Sequence, residues 1–280
     1  MQTHLRNAVL IAAIGVALTA CKRGDDAAPA ATPSTPAPAA TTPPVAAPAT
    51  GTPVLKDVLE TSDRMVVGIT YPVGLERYPG LVEVLAKYSQ QRRDELKGEV
   101  DALGNDRPTV PYDLTLSYQK LAETPDLVAI AADGDLYSGG AHGQPLVMRY
   151  VWLVRDSRLL TASDLIPTAA GWTAVSSYAR AQLKIASQER ASQDSALTPE
   201  ELARVLSDDA KSIDEGATAK PENFEHFEPL LDGNQKIRGL RFVFPPYQIG
   251  PYAYGVQNVD VPASVLKPHI APAYRDLFSP

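Results

Sequence analysis

The chain has 280 residues, of which 44% are hydrophobic, and a formal net charge of -7. A chain of this length and composition can bury a hydrophobic core, so disorder throughout is excluded. The acidic balance argues against nucleic acid as a partner, and the single cysteine excludes a disulfide framework and any site built from several thiolates.

The N-terminus has the features of an export signal. His4 and Arg6 precede an apolar run of eleven residues at 8–18, which is too short to span a bilayer. Small residues then lead to Cys21, as in a bacterial lipobox, so we expect cleavage just before Cys21 and lipid attachment to its thiol. An incidental cysteine after an ordinary signal peptide is the alternative. Lys22 favours sorting to the outer membrane, because acid at that position resembles an inner-membrane retention signal.

A segment rich in Pro, Ala and Thr follows the cysteine. Residues 27–53 contain 8 Pro, 10 Ala and 6 Thr. Such a composition cannot bury enough surface to offset its ordering entropy, and its prolines favour extended polyproline II. We therefore predict a tether over residues 21–54, of which residues 27–53 reach on the order of 80 Å at about 3.1 Å per residue. A polyproline ligand for a groove domain is the alternative.

The first half of the folded part, residues 55–166, predicts a strand, a helix and an antiparallel meander. Pro79 suits a first helical turn, and leucines recur behind it at helical spacing until Gly104. Apolar residues alternate with polar ones from Tyr112 to Gln119, which indicates a half-buried strand. The predicted elements are strands at 64–71, 112–119, 127–132 and 145–154, a helix at 79–103 and a turn at 161–166.

The second half, residues 167–280, predicts helices followed by strands. Thr198 and Pro199 form a cap and a first turn, and Asp232-Gly233-Asn234 is typical of a hairpin turn. The predicted elements are helices at 172–185, 198–206 and 263–270, a loop at 186–196 and strands at 224–231, 239–244 and 256–261. We therefore expect an α+β fold of antiparallel sheets with helices packed on them, in two sheet-containing halves.

A glycine-rich string lies between the second and third strands of the meander. Gly139, Gly140 and Gly143 fall within five residues, beside Tyr137 and His142. As a ligand loop, the glycines would expose N–H groups and His142 would supply a donor or base. The alternative is a bulged connection in which His142 bonds the backbone. A Ser138 nucleophile is disfavoured, because no Gly-x-Ser-x-Gly elbow surrounds it.

A second distinctive string, residues 244–255, alternates aromatic residues with Pro and Gly. Its candidate binding residues are Tyr247, Tyr252 and Tyr254. Aromatic rings beside Pro and Gly form rigid apolar platforms that suit sugar rings or a protein partner. The alternative is an irregular connection whose tyrosines pack inward.

We assign no catalytic residue, metal or cofactor. Three histidines follow the signal peptide, and none has the spacing of a zinc site. Glu222, Glu225 and Glu228 could supply the paired carboxylates of a glycosidase, or could lie on the wet face of a strand.

Together, the strings at 137–143 and 246–255 resemble the two signatures of a bacterial envelope domain of unknown function. Similar domains form the extracytoplasmic part of the anti-sigma factor RsiV and the N-terminal region of the peptidoglycan deacetylase PdaC. The resemblance covers about residues 56–269, and the helices near 171–220 match only loosely. It implies lysozyme binding, as in RsiV. Neither anti-sigma nor deacetylase activity is implied, because the segments that carry them have no counterpart here.

The expected function is that of a lipid-anchored binding protein on the periplasmic face of the outer membrane, which captures lysozyme or a cell-wall component such as peptidoglycan. After removal of residues 1–20 the chain carries 25 basic and 33 acidic side chains, a balance of -8 that attracts basic lysozymes. The alternatives are a wall hydrolase that uses His142 and a structural envelope lipoprotein.

Overall fold

A computed structural model describes Gly51 and residues 53–280. The predicted signal peptide at 1–20, the lipidation site Cys21 and nearly all of the tether lie outside the described residues. Within the described part of the chain, no helix combines the length and the apolar character needed to cross a membrane.

The larger of the two sheets has six strands in the order β1-β2-β3-β4-β5-β6. These strands are β1 (Val58–Thr61), β2 (Met65–Thr70), β3 (Tyr112–Glu123), β4 (Leu127–Tyr137), β5 (Gln144–Leu153) and β6 (Arg158–Leu159). The predicted meander is confirmed in β3, β4 and β5, which pair antiparallel. β2 and β3, however, pair in parallel, because the helix α1 (Pro79–Ala102) lies between them and returns the chain in the same direction.

The helix α1 covers one face of the large sheet. Its leucines at 81, 85 and 96 are fully buried against Leu114 and Leu116 of β3 and Ile130 of β4. The helical spacing of these leucines and the two-residue period of β3 thus meet in one core, as the sequence predicted.

The second sheet has three antiparallel strands in the order β7-β8-β9. The later elements are α2 (Ala162–Leu165), α3 (Ala169–Ser192), α4 (Pro199–Gly216), β7 (Phe227–Leu231), β8 (Ile237–Phe244), β9 (Gln257–Pro262) and α5 (Ala263–Leu266). Short 3-10 turns occur at Pro221–Phe224, Tyr252–Tyr254, Lys267–His269 and Pro272–Leu277. The α+β prediction, with one sheet in each part of the folded chain, is confirmed.

Several predicted boundaries in the second half are wrong. The predicted loop at 186–196 is helical as far as Ser192, because Ser187 is buried and donates to Asp209 of α4 at 2.5 Å. The helix α4 runs to Gly216 rather than to residue 206.

Two shorter segments also differ from the prediction. The predicted turn at 161–166 contains α2, whose Thr161 and Asp164 form a capping box. The strand predicted from residue 224 begins at Phe227, and the helix predicted at 263–270 changes to a 3-10 turn at Lys267.

The second core joins the two sheets. Phe224 packs edge-to-face with Phe242 and Phe244, and the same cluster includes Leu127 of β4 and Val151 of β5. The large sheet is therefore buried on both faces over β4 and β5, which accounts for the continuous apolar run in β4.

A buried ion pair also links the sheets. Arg149 of β5, whose side chain is 7% exposed, donates to Glu228 of β7 at 2.5 Å and to Asp133 of β4 at 2.7 Å. Glu222 and Glu225 are exposed. Glu228 therefore acts as a structural partner of an arginine rather than as one of two free carboxylates.

Candidate functional site: a histidine between two tyrosines

The glycine-rich loop connects β4 to β5. Gly139 and Gly140 have φ angles of 103° and 89°, which side chains adopt only under strain. The Tyr137 hydroxyl donates to the Gly140 carbonyl at 3.2 Å, and the ring of Tyr112 packs against Gly139. The glycines are thus required for the path of the loop. Sequence reasoning missed Tyr112, since its alternating pattern indicated only a strand.

Gly143 at the end of the loop lies against the Asp135 side chain. A Cβ there would lie 1.7 Å from a carboxylate oxygen of Asp135, so a side chain at this position would require that carboxylate to move. Burial raises the pKa of Asp135, and the neighbouring Asp113 raises it further. Burial also raises the pKa of Asp113.

His142 connects the two strings that the sequence singled out. Its Nδ1 lies 3.0 Å from the Gly143 carbonyl oxygen, and its Nε2 lies 2.9 Å from the Tyr247 hydroxyl, a residue 105 positions later. Its ring stacks on that of Tyr252 with the centroids 4.1 Å apart and the planes at 13°. We name the surface formed by His142, Tyr247 and Tyr252 the histidine–tyrosine surface.

The hydrogen bonds of His142 fix which ring nitrogen carries the proton when the ring is neutral. The Nδ1–H donates to the carbonyl, and Nε2 accepts from the Tyr247 hydroxyl. Ser138 lies in the same cleft, and among the described residues it makes no hydrogen bond to His142. This arrangement offers aromatic faces and a tyrosine hydroxyl to a ligand, and within residues 53–280 both ring nitrogens of His142 bond to groups other than a carboxylate.

The aromatic segment, residues 245–255, is attached to the end of α4. The Gln248 side-chain amide donates to the Gly216 carbonyl at 3.0 Å and to the Asn223 carbonyl at 2.9 Å. Tyr247 is 60% exposed and has a φ of 73°, a strained conformation for a side chain of this size. Tyr247 therefore faces solvent while the residue after it anchors the segment.

The third predicted tyrosine of this segment does not join the cluster. The ring of Tyr254 lies under the guanidinium of Arg190, 3.9 Å from its centroid, on the side of α3. Burial and the nearby Asp209 carboxylate raise the pKa of Tyr254. The fold thus separates Tyr254 from Tyr252, although only one residue lies between them.

A cleft of about 480 Å³ opens beside the histidine–tyrosine surface. His142 and Tyr247 line one part of it, and Glu95 and Glu99 of α1 line another. Sequence reasoning did not single out these glutamates, since nothing local connects them to a loop about 40 residues later. Within residues 53–280, no group of three His, Cys, Asp or Glu side chains is placed to hold a metal ion.

The fold and this surface define an α+β domain whose exposed aromatic cluster is assembled from two distant connections. Residues 164–264 match a family model described as a protein of unknown function, DUF3298, so a domain of that family is found here. The matched range contains α3, α4 and the aromatic segment, whereas the glycine-rich loop precedes it.

Solved structures similar to the chain include two of the DUF3298 family. One is a DUF3298 family protein from Pseudomonas aeruginosa PAO1, at 18% identity and a TM-score of 0.53, covering 80% of this chain and 94% of that one. The other is a member of the same family from Bacteroides fragilis NCTC 9343, at 18% identity and a TM-score of 0.49, covering 78% and 93%. The first establishes a shared fold. The comparison with curated proteins gave no match.

Proposed function

We propose that the chain is a lipid-anchored envelope protein that captures lysozyme, or a related component of the cell wall, on the histidine–tyrosine surface. The observation that carries the proposal is the contact of His142 with Tyr247 and Tyr252, across 105 and 110 positions of sequence. The two strings that resemble the envelope domain thereby form one surface.

The chemistry of the surface suits a protein partner. Tyrosine is enriched among the residues that dominate interface energetics, because its ring contributes a large contact area and its hydroxyl contributes a hydrogen bond. The stacking of Tyr252 on His142 and the anchor at Gln248 order these side chains before binding. A preordered surface loses less conformational entropy on association.

The charge of the surroundings favours a basic partner. Glu95 and Glu99 line the adjoining cleft. Glu95 is paired with Arg92 of the same helix at 2.7 Å, so among the described residues Glu99 supplies the unbalanced negative charge of the cleft. Together with the acidic balance of the chain, this arrangement attracts a basic lysozyme and raises its association rate more than its final affinity.

Attachment to the envelope is the second part of the proposal. It rests on the lipobox-like residues before Cys21 and on Lys22, which favour an anchor on the periplasmic face of the outer membrane. Metabolic palmitate labelling of the wild type and of Cys21→Ser tests this part. We expect label on the wild type only, and recovery of an unlabelled wild type from the cytosol would contradict it.

The binding experiment uses the full mature chain in detergent and hen egg-white lysozyme, measured by calorimetry at low and at 0.5 M salt (about a 4 Å Debye length). We expect a 1:1 complex that salt weakens. Tyr252→Ala is expected to weaken it by about tenfold or more, as for an interface hot spot. Leu59→Ala, which truncates an 84%-exposed side chain of β1, is the control and should bind as the wild type.

Two outcomes would contradict capture. One is the absence of a complex at low salt. The other is turnover of purified peptidoglycan by the wild type that is lost in His142→Ala, which would favour the wall hydrolase instead.

A further inference from the structure

A buried charge lies between α3 and α4, below the aromatic segment. Asp209 of α4 is 5% exposed, and its carboxylate accepts hydrogen bonds from Ser187 at 2.5 Å and from Arg190 at 3.1 Å, both on α3. A buried carboxylate is tolerated only when it is paired and hydrogen-bonded. The guanidinium of Arg190 is therefore constrained from one side by Asp209.

The same guanidinium contacts the aromatic segment from its other side. It stacks on the ring of Tyr254 at 3.9 Å and donates to the side-chain oxygen of Gln257 at 3.2 Å. Only a planar cation can stack on a ring and donate in its plane at the same time. One edge of the Tyr254 ring is close to Gly250, where an added Cβ would lie 2.9 Å from the ring atom Cδ2. Tyr254 is thus held by the arginine over its ring and by its own backbone at the ring edge.

The position of Tyr254 fixes that of Tyr252. The two residues belong to one 3-10 turn, in which the Tyr254 N–H donates to Pro251 at 3.0 Å and the Gly255 N–H donates to Tyr252 at 2.9 Å. A turn of three residues with both bonds formed fixes the backbone of Tyr252 relative to that of Tyr254, so a shift of one residue moves the other. Tyr252 is the residue that stacks on His142.

We propose that Arg190 and Asp209 are positioning residues of the histidine–tyrosine surface. Through Tyr254 they hold the 3-10 turn so that the Tyr252 ring covers the imidazole before a partner arrives. The effect on lysozyme affinity rests on the proposed function, whereas the effect on the His142–Tyr252 stack belongs to the free chain. The matched DUF3298 range contains Arg190, Asp209, Tyr252 and Tyr254, whereas His142 precedes it.

The stack itself supplies the readout. A ring centred 4.1 Å above an imidazole shifts the His142 ring-proton resonances by its ring current, so these resonances report whether Tyr252 is in place. We expect Arg190→Lys, which keeps the charge beside Asp209 but lacks the planar guanidinium that stacks on the Tyr254 ring, to move them toward unstacked values.

A matched control separates positioning from helix packing. Asp214 of α4 pairs with Arg180 and Lys184 of α3, which joins the same two helices without touching the aromatic rings. Asp214→Asn should leave the His142 resonances unchanged, whereas Asp209→Asn should move them. Thermal unfolding of each variant establishes that it is folded, and Arg190→Lys tests the proposal if Asp209→Asn does not fold.

Different results would contradict the positioning role and the capture of lysozyme. A folded Arg190→Lys variant with wild-type His142 resonances would overturn the positioning role. Absence of lysozyme binding by the wild type, with the resonances altered in the variant, would leave the positioning role supported and contradict lysozyme capture. If the wild type binds, we expect Arg190→Lys to bind about tenfold more weakly, and equal affinity would overturn the link between the stack and binding.

Discussion

The path of the aromatic segment is sensitive to a substitution at Gly216. An alanine Cβ at this position would lie 1.8 Å from the Gln248 carbonyl oxygen, whereas real Cβ atoms essentially never approach closer than 3.0 Å. The segment and the end of α4 must therefore separate by at least 1.2 Å. A retreat of the segment by that amount along the bond between Tyr247 and His142 would lengthen the bond from 2.9 Å to about 4.1 Å, beyond hydrogen-bonding range.

The magnitude follows from two opposing effects. Replacing a helical glycine by alanine stabilises by about 0.5–1 kcal/mol, and overpacking a close contact destabilises by about 1–3 kcal/mol. We expect Gly216→Ala to lower the free energy of unfolding by about 1–2 kcal/mol in urea denaturation followed by circular dichroism. Cross-peaks between the His142 and Tyr252 rings in nuclear Overhauser spectra should weaken.

Gly98 of α1 is the matched control. It is also a helical glycine, and an added Cβ there meets nothing within 4 Å. Gly98→Ala should therefore stabilise by about 0.5–1 kcal/mol. A Gly216→Ala variant that gains as much as this control and keeps the ring cross-peaks would refute the contact between α4 and the aromatic segment.

Three further predictions concern stability. Gly134→Ala places a Cβ 1.9 Å from a backbone oxygen of β3 and should lower the free energy of unfolding in urea by about 2–4 kcal/mol. In the control Gly68→Ala of β2, the added Cβ meets no atom within 4 Å, so the loss should be less than about 1 kcal/mol. Equal losses would contradict the register of β3 and β4. Burial lowers the pKa of His226, so on acidification the unfolded chain takes up this proton before the folded chain does. The free energy of unfolding should therefore fall as the pH drops below about 6.5. His226→Gln should make this pH dependence weaker, and an unchanged dependence would exclude the histidine as its cause. Glu228→Gln removes a negative charge that pairs with a buried arginine and should lower the free energy of unfolding by about 3 kcal/mol. The control Asp260→Asn breaks a pair whose partners are 40% and 47% exposed and should cost less than about 1 kcal/mol. Similar losses would contradict the burial of the first pair.

The elements predicted well are those in which one face is buried and the other is exposed to solvent. The strand β3 alternates through Leu114 and Leu116, and α1 carries leucines at helical spacing, so the period of each segment matches its burial. The glycines of the 138–143 loop were also informative, because the positive φ angles at Gly139 and Gly140 are local requirements.

The elements predicted poorly are those whose burial depends on a partner far along the chain. Ser187 and Asp209 are polar, so the segments around them have the composition of loops, yet they are buried against each other. The parallel pairing of β2 with β3 is likewise a consequence of the α1 crossover and of no pattern within either strand.

The sequence by itself determined the acidic balance, the class of fold, the main strands and helices of the first half, and the two strings that carry the envelope-domain resemblance. Only the tertiary structure decided that His142 meets Tyr247 and Tyr252, that Tyr254 turns away toward Arg190, and that the glutamates of α1 border the same cleft. The physical reason is range: period and turn chemistry act over a few residues, whereas a surface assembled from three distant segments depends on how the sheets and helices pack.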